Sequence, residues 1–254
     1  MKWIAGLLLM VGGDPSLKFE VASIKASADG GRGCQIRPAP GGQRYVGTCV
    51  PLALMIQVAY RVKADQVVGG PAWMGTDRWD LDAKAAKASS AEELRAMLQD
   101  LLAERFGLKF HTEKKELPVY LLSVDKGGPK MKPHEGTSAG DPWIDQTVER
   151  MLQVKMKATF VPMEYFAWRL GLQALDRPVI DRTELKGGYD FTLNYTRELP
   201  AGAPQDLKLN GEPVDTSGPT IFQAVRQQLG LRLEPQKGPV NVMVIDKAEK
   251  PTAN

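Results

Sequence analysis

Apolar positions recur at helical spacing in four stretches of the chain. In "SAEELRAMLQDLLAERFGL", Leu94, Met97, Leu98, Leu101 and Leu102 fall on one face, Ser90 and Glu93 stand at capping-box spacing, and Gly107 marks a stop. This predicts an amphipathic helix with both ends defined and a leucine face in the core. Near the C-terminus a second helix is predicted from about Pro219 to Leu229, stopped at Gly230. "TCVPLALMIQVAY" and "TFVPMEYFAWRL" predict two more, with Pro51 and Pro162 in the first turn, where a missing N–H costs nothing.

Between the helices the polarity pattern changes to that of strands. "LKFHTE" and "PVYLLSV" follow one helix, "LRLEP" and "PVNVMVID" follow the last, and the charged residues between the members of each pair read as hairpin turns. "QVVGG" with "RWDLDAKA", and "RPVID" with "YDFTLNY", supply the remaining pairs, and "KFEVASIK" or "LQVKMKAT" leads in. Pro51 to Trp79 spans 28 positions, against 27 from Pro162 to Tyr189. The expected fold is therefore α+β and internally duplicated, each half helix-hairpin-helix-hairpin, with helices packed on a mainly antiparallel sheet. The halves run over about 18–127 and 150–247, with Pro51 matching Pro162, Trp79 matching Tyr189, Gly107 matching Gly230 and Pro118 matching Pro239. Residues 128–149 read as a linker loop and 197–218 as a long loop inside the second half, both rich in Gly, Pro and polar residues.

Composition adds limits. With 254 residues and an apolar share of 43%, the chain is globular, as one large domain or two small ones. Its net charge of +3 comes from 33 basic and 30 acidic residues spread along the length, so no basic stripe for nucleic acid is present. The opening "MKWIAGLLLMVGG" carries one Lys and an apolar run too short for a membrane span of about 20 residues but adequate for a signal-peptide core of about 7–15. Residues 1–13 are expected to be a signal peptide, giving an exported, periplasmic or extracellular protein whose mature chain begins near Asp14. A buried first strand and a retained anchor are the alternatives, and membrane association would follow only from the anchor.

Cys34 and Cys49 flank Gly41-Gly42, a dipeptide suited to a tight hairpin turn that would set the two sulfurs opposite one another. A disulfide is expected, preserved in an oxidising compartment. Pro38 and Pro40 interrupt the pairing on one side and keep two unlinked thiols as the alternative.

"GGPAW", "DRWDLDAKA", "ERFGLKFHTEKKELPVY", "GGPK", "RPVIDRTELKGGYDFTL", "QQLGLRLEPQKGPVNVMVID" and "EKP" together resemble an uncharacterised family of exported proteins, a domain of unknown function abundant in soil Acidobacteria. The resemblance implies export and no established reaction, and in some relatives attachment to membrane-bound sensor-type peptidase domains. Glu184 stands where that family usually has Gly. The helix-then-hairpin units also resemble small periplasmic domains of secretins and TonB-dependent receptors, which bind other proteins.

The chemistry-bearing residues are sparse. Zincin, phosphate-loop and C-x-x-C signatures are absent from the sequence, and no catalytic residue, metal site or cofactor is assigned. His111 and His134 read as surface residues, and Asp80, Asp82 and nearby Asp77 as a solvated face opposite the core residues Trp79 and Leu81. Asp181 and Arg182 are candidates for anchoring a turn, and Lys130 of "GGPK" lacks phosphate-loop spacing. Trp73, after a Gly-Gly-Pro turn, is the aromatic best placed for a ligand surface, the alternative being a ring folded over the sheet. The expected function is a non-enzymatic exported module binding a protein or envelope component through sheet edges and the two long loops. A small-molecule sensor domain and a hydrolase with an unrecognised site are the competing readings.

Overall fold

The structure is a computed structural model that describes residues 17–28, 34–135, 142–149, 152–199, 202, 208–209, 212–213 and 215–251. The expected signal segment, 1–13, lies outside them. The chain forms two compact units, one of residues up to Lys115 together with those from Pro239 onward, the other of Glu116–Gly238.

The first unit is built on an antiparallel sheet of β1 (Phe19–Ala26), β2 (Gln35–Pro38), β3 (Arg44–Val50) and, further along, a strand at Trp79–Ala85. Between them come α1 (Leu52–Tyr60), a single 3₁₀ turn at Ala64–Gln66, β4 (Val67–Gly69) and α2 (Trp73–Thr76), which make that later strand β5. The sheet order is β1-β5-β3-β2. Along β5, Trp79, Leu81, Ala83 and Ala85 are buried while the alternate residues face outward, the period-two pattern of a half-buried strand. α3 (Ala91–Arg105) lays Leu94, Met97, Leu98, Leu101 and Leu102 into the same core. Its first turn is closed by reciprocal bonds: Ser90 Oγ accepts the Glu93 N–H, and Glu93 accepts the Ser90 N–H at 2.7 Å. Arg95 and Gln99 on α3 both donate to the Ala59 carbonyl, at 2.8 and 2.7 Å, satisfying the end of α1.

β6 (Lys109–Val124) contributes to both units. The second unit then contains β7 (Lys132–Pro133), β8 (Trp143–Glu149), β9 (Gln153–Val161), α4 (Met163–Gln173), β10 (Val179–Asp181) and β11 (Tyr189–Thr196). The ribbon β12 (Lys208–Leu209) and β13 (Glu212–Pro213) follows, then α5 (Ile221–Leu229) and β14 (Leu231–Lys247), whose later part belongs to the first unit. β7, β11, β9 and β8 form an antiparallel sheet in that order. α4 and α5 pack on it through Phe166, Leu170, Ala224, Val225 and Leu229. α5 is opened by a Thr220–Gln223 capping box and closed by Gly230 at φ 67°.

This is a mostly β architecture, 44% strand and 24% helix among the described residues, and not a duplicated helix-hairpin-helix-hairpin α+β fold. The expected hairpins after α3 and α5 do not form: each is one continuous strand, β6 of 16 residues and β14 of 17. The charged middle of β6 was read as a turn, but "TEKKE" offers neither glycine nor proline to reverse the chain. Those residues are simply strand positions with exposed side chains. The other expected pairs also separate. β4 joins β14 in parallel, Met243↔Val67 to Ile245↔Gly69, while β5 inserts between β1 and β3. β10 joins β6 in parallel, Val179↔Tyr120 to Asp181↔Leu122, while β11 pairs with β9 and β7. Within the span 128–149 lie β7 and β8. Among the described residues no helix is long and apolar enough to cross a membrane.

Candidate functional site

Two carboxylates face outward from their strands yet have internal work. Asp80 on β5 accepts the N–H of Cys49 at 2.8 Å, and Asp190 on β11 accepts that of Phe160 at 2.8 Å. Both donors sit in the left-handed region, Cys49 at φ 56° and Phe160 at φ 53°, where the ladder register shifts. The side-chain acceptor thus supports a costly backbone bend just before α1 and α4. Asp80 is therefore structurally engaged and does not belong to a carboxylate cluster. Asp82 pairs with Arg44 at 3.1 Å and Asp77 with Lys250 at 2.7 Å. Among the described residues no group of three His, Cys, Asp or Glu side chains is placed to hold a metal ion.

Around Asp190 the second unit adds His134, whose Nδ1 lies 2.9 Å from both carboxylate oxygens and whose ring meets Phe160 edge-on at 5.3 Å. A ring nitrogen facing a carboxylate carries the proton, so Nδ1 donates. The Phe160 N–H holds the Asp190 carboxyl below its usual 3.8, and His134 adds to this against partial burial. His134 is thus half-buried and oriented, which its loop position did not announce. His111 on β6 has Nδ1 2.9 Å from Asp246 and Nε2 3.5 Å from Glu113. Asp246 first, then Glu113, raises its pKa above 6.5.

Trp73 opens α2 half-buried. Phe106 stacks on its ring at 6.3 Å, and the Lys250 ammonium lies 5.8 Å from the ring centroid. Cys34 and Cys49 adjoin a ladder running from Gln35↔Thr48 to Pro38↔Tyr45 about Gly41 and Gly42, and their sulfurs are 2.9 Å apart. Cys34 is exposed and Cys49 buried; the neighbouring Cys34 thiol, then burial, raises the Cys49 pKa. Asp181 anchors its turn through Thr183, accepting both its N–H and its hydroxyl at 2.8 Å, while the Arg182 N–H goes to the Leu122 carbonyl. The Lys130 ammonium donates to the Gln227 carbonyl at 2.9 Å, so "GGPK" helps close the end of α5.

The edge strand β8 presents an unbulged row of sheet-edge backbone. Among the described residues it pairs only with β9, in unbroken register from Trp143↔Thr159 to Glu149↔Gln153. Ile144 points into the core, whereas Trp143 is 52% and Val148 47% exposed. Among the described residues the other sheet-end strands are short, bulged or proline-ended, although Val21 on β1 is 62% exposed. β1 has a bulge between Phe19 and Val21, β2 ends in Pro38, β7 is only Lys132–Pro133, and β4 and β10 are three residues each. "WIDQTVE" contains no Lys, no Pro and no bulge. Sequence reading proposed sheet edges in general; the exposure of Trp143 depends on which strand ends the sheet, and no local pattern states that.

No curated protein and no solved structure matches the chain. A family model described as protein of unknown function (DUF3738) matches residues 53–248, most of the length, and the chain belongs to that family.

Proposed function

We propose that the protein is an exported, non-enzymatic interaction module of the cell envelope that captures an extended segment of a partner protein by strand addition along β8. The observation that carries this reading is the unprotected edge of β8 with Trp143 and Val148 exposed on it. An added strand satisfies the outward backbone N–H and C=O groups, and Trp143 supplies a large, rigid contact of low entropic cost. Asp145 and Glu149 on the same strand favour a partner segment carrying basic residues. The apolar segment 1–13 and the resemblance to exported proteins support the location.

A photo-reactive residue at Asp145, in cells producing the full chain, tests the proposal. A discrete cross-linked partner is expected, and it should disappear when Trp143→Lys and Val148→Lys place edge-blocking charges on a chain that still folds. Cross-linking unaffected by that pair of substitutions would refute docking on β8. Turnover of a hydrolase substrate by the purified protein, abolished by substitution of His111 or Asp80, would replace the proposal with the enzyme reading. N-terminal sequencing of exported material should begin near Asp14, and a mature chain still starting at Met1 would contradict cleavage.

A further inference from the structure

In the first unit a lysine from beyond β14 is seated on the ring of Trp73. β14 ends at Lys247, and the residues after it return to α2. The Glu249 N–H donates to the Phe106 carbonyl at 2.7 Å, and the Lys250 ammonium lies 2.7 Å from Asp77 Oδ2 and 5.8 Å from the Trp73 ring centroid. Both partners of that ammonium are held by the fold. Met74, 4% exposed, anchors α2 in the core, and Phe106 stacks on the Trp73 ring. The Asp77 N–H donates to the Trp73 carbonyl at 2.9 Å, which fixes the carboxylate relative to the ring. Thr76 donates to Asp77 Oδ1 at 3.3 Å, so that Oδ2 receives Lys250. Arg78, although next in sequence, sends its guanidinium to the Gly75 and Thr76 carbonyls at 2.8 and 3.0 Å. The hydrogen bond from Lys250 is the chief cause holding the Asp77 carboxyl below its usual 3.8.

An aromatic face beside a carboxylate is an arrangement that recognises an organic ammonium: the ring attracts the cation and the carboxylate accepts an N–H. Here the receptor half is fixed by α2 and Phe106, while the occupant comes from outside the last strand. The Lys250 and Asp77 side chains remain 56% and 33% exposed, and an ion pair so open to water holds weakly and exchanges. We propose that Trp73 and Asp77 form a recognition site for a primary alkylammonium group, which Lys250 occupies as a tethered competitor and which opens when the segment after β14 lifts. A lysine side chain on another molecule and a free amine share this chemistry. The site lies in the first unit and is independent of docking on β8.

Titration of the full chain with n-butylammonium chloride, and separately with n-butanol, at ionic strength matched by sodium chloride, tests the site. The readout is the indole N–H resonance of Trp73, identified by its loss in Trp73→Phe. Lys250→Met, which keeps an apolar stem over the ring, should bind butylammonium about tenfold more tightly than the parent, because removing a competitor that occupies about nine-tenths of the sites raises the competent fraction by that factor. Adding Asp77→Asn to Lys250→Met, in a chain that still folds, should abolish the response, and n-butanol should produce none. A blocked Gly-Lys-Gly tripeptide that binds more tightly than butylammonium identifies the ligand as a protein lysine; weaker binding identifies a free amine. If Lys250→Met fails to fold, butylammonium added to the parent must shift the Trp73 indole resonance and return the Lys250 side-chain resonances to those of a solvated lysine. Resonances unmoved in the parent, a Lys250→Met chain that binds no more tightly, a response that survives Asp77→Asn, or an equal response to n-butanol overturns the site.

Discussion

Asp190 is a side chain whose work is invisible from its neighbours in sequence. It holds the Phe160 N–H, thirty positions away, and orients His134. Its folded-state pKa lies below 3.8, so its contribution to stability is present above that value and is lost as pH falls through the lower, folded one. Asp190→Asn should therefore melt below the parent at about pH 6, with the gap closing as the pH falls below about 4, the value of a free aspartate. A gap independent of pH would assign the loss to packing. Glu184 makes a second residue-scale case. It sits at φ 61°, a left-handed conformation costing about 1–2 kcal/mol for a residue with a side chain. Glu184→Gly should stabilise by about 1 kcal/mol, the relief of strain being partly offset by added freedom in the unfolded chain; equilibrium denaturation that shows a loss would place the strain elsewhere. Core positions were readable at this scale. The α3 leucines are buried as their spacing implied, and Leu98→Ala should cost about 2–5 kcal/mol because Leu98 is fully enclosed. Asp82 is exposed, as the reading of a solvated face had it, but Asp80 also holds the Cys49 N–H. Period-two alternation reports which way a side chain leaves a strand and not what bends back to meet it.

At the scale of elements, helix ends were legible and strand partners were not. Ser90, Glu93 and Gly107 lie within one turn of the structure they specify, so α3 was readable from its own residues. α5 ends at Gly230, where an added Cβ would collide with the Gly128 carbonyl, so "GGPK" and this helix stop are one packed device. Gly230→Ala should lower stability by more than the ~1–2 kcal/mol of left-handed strain alone, as read from chemical denaturation. The pairing of β4 with β14 and of β10 with β6 joins segments far apart in the chain, and nothing in "VVG" or "VID" names its partner. The hairpins were inferred because charged residues usually mark turns; in β6 they mark a solvent-exposed stretch of strand. The β2–β3 pairing carries its own prediction. Intact mass of exported protein, before and after reduction and alkylation, should show Cys34 and Cys49 linked, a closure worth about 3 kcal/mol in the chain-entropy model. Full alkylation without reduction would leave the pair as thiols.

For the whole molecule, each unit encloses its own apolar cluster, one around Ile56, Leu98 and Phe106, the other around Met156, Phe166 and Leu193. The proposed function rests on a surface, the edge of β8, which among the described residues is regular and unbulged. The family match places the chain among proteins of unknown function, so the assignment rests on the physics of that edge. Hydrogen exchange of the mature protein, alone and with its cross-linked partner purified, measures this most directly. Strand addition predicts that β8 amides facing away from β9 exchange freely in the isolated protein and become strongly protected in the complex, with the amides already bonded to β9 little changed. Unchanged exchange along Trp143–Glu149, with new protection elsewhere, would contradict β8 as the docking edge.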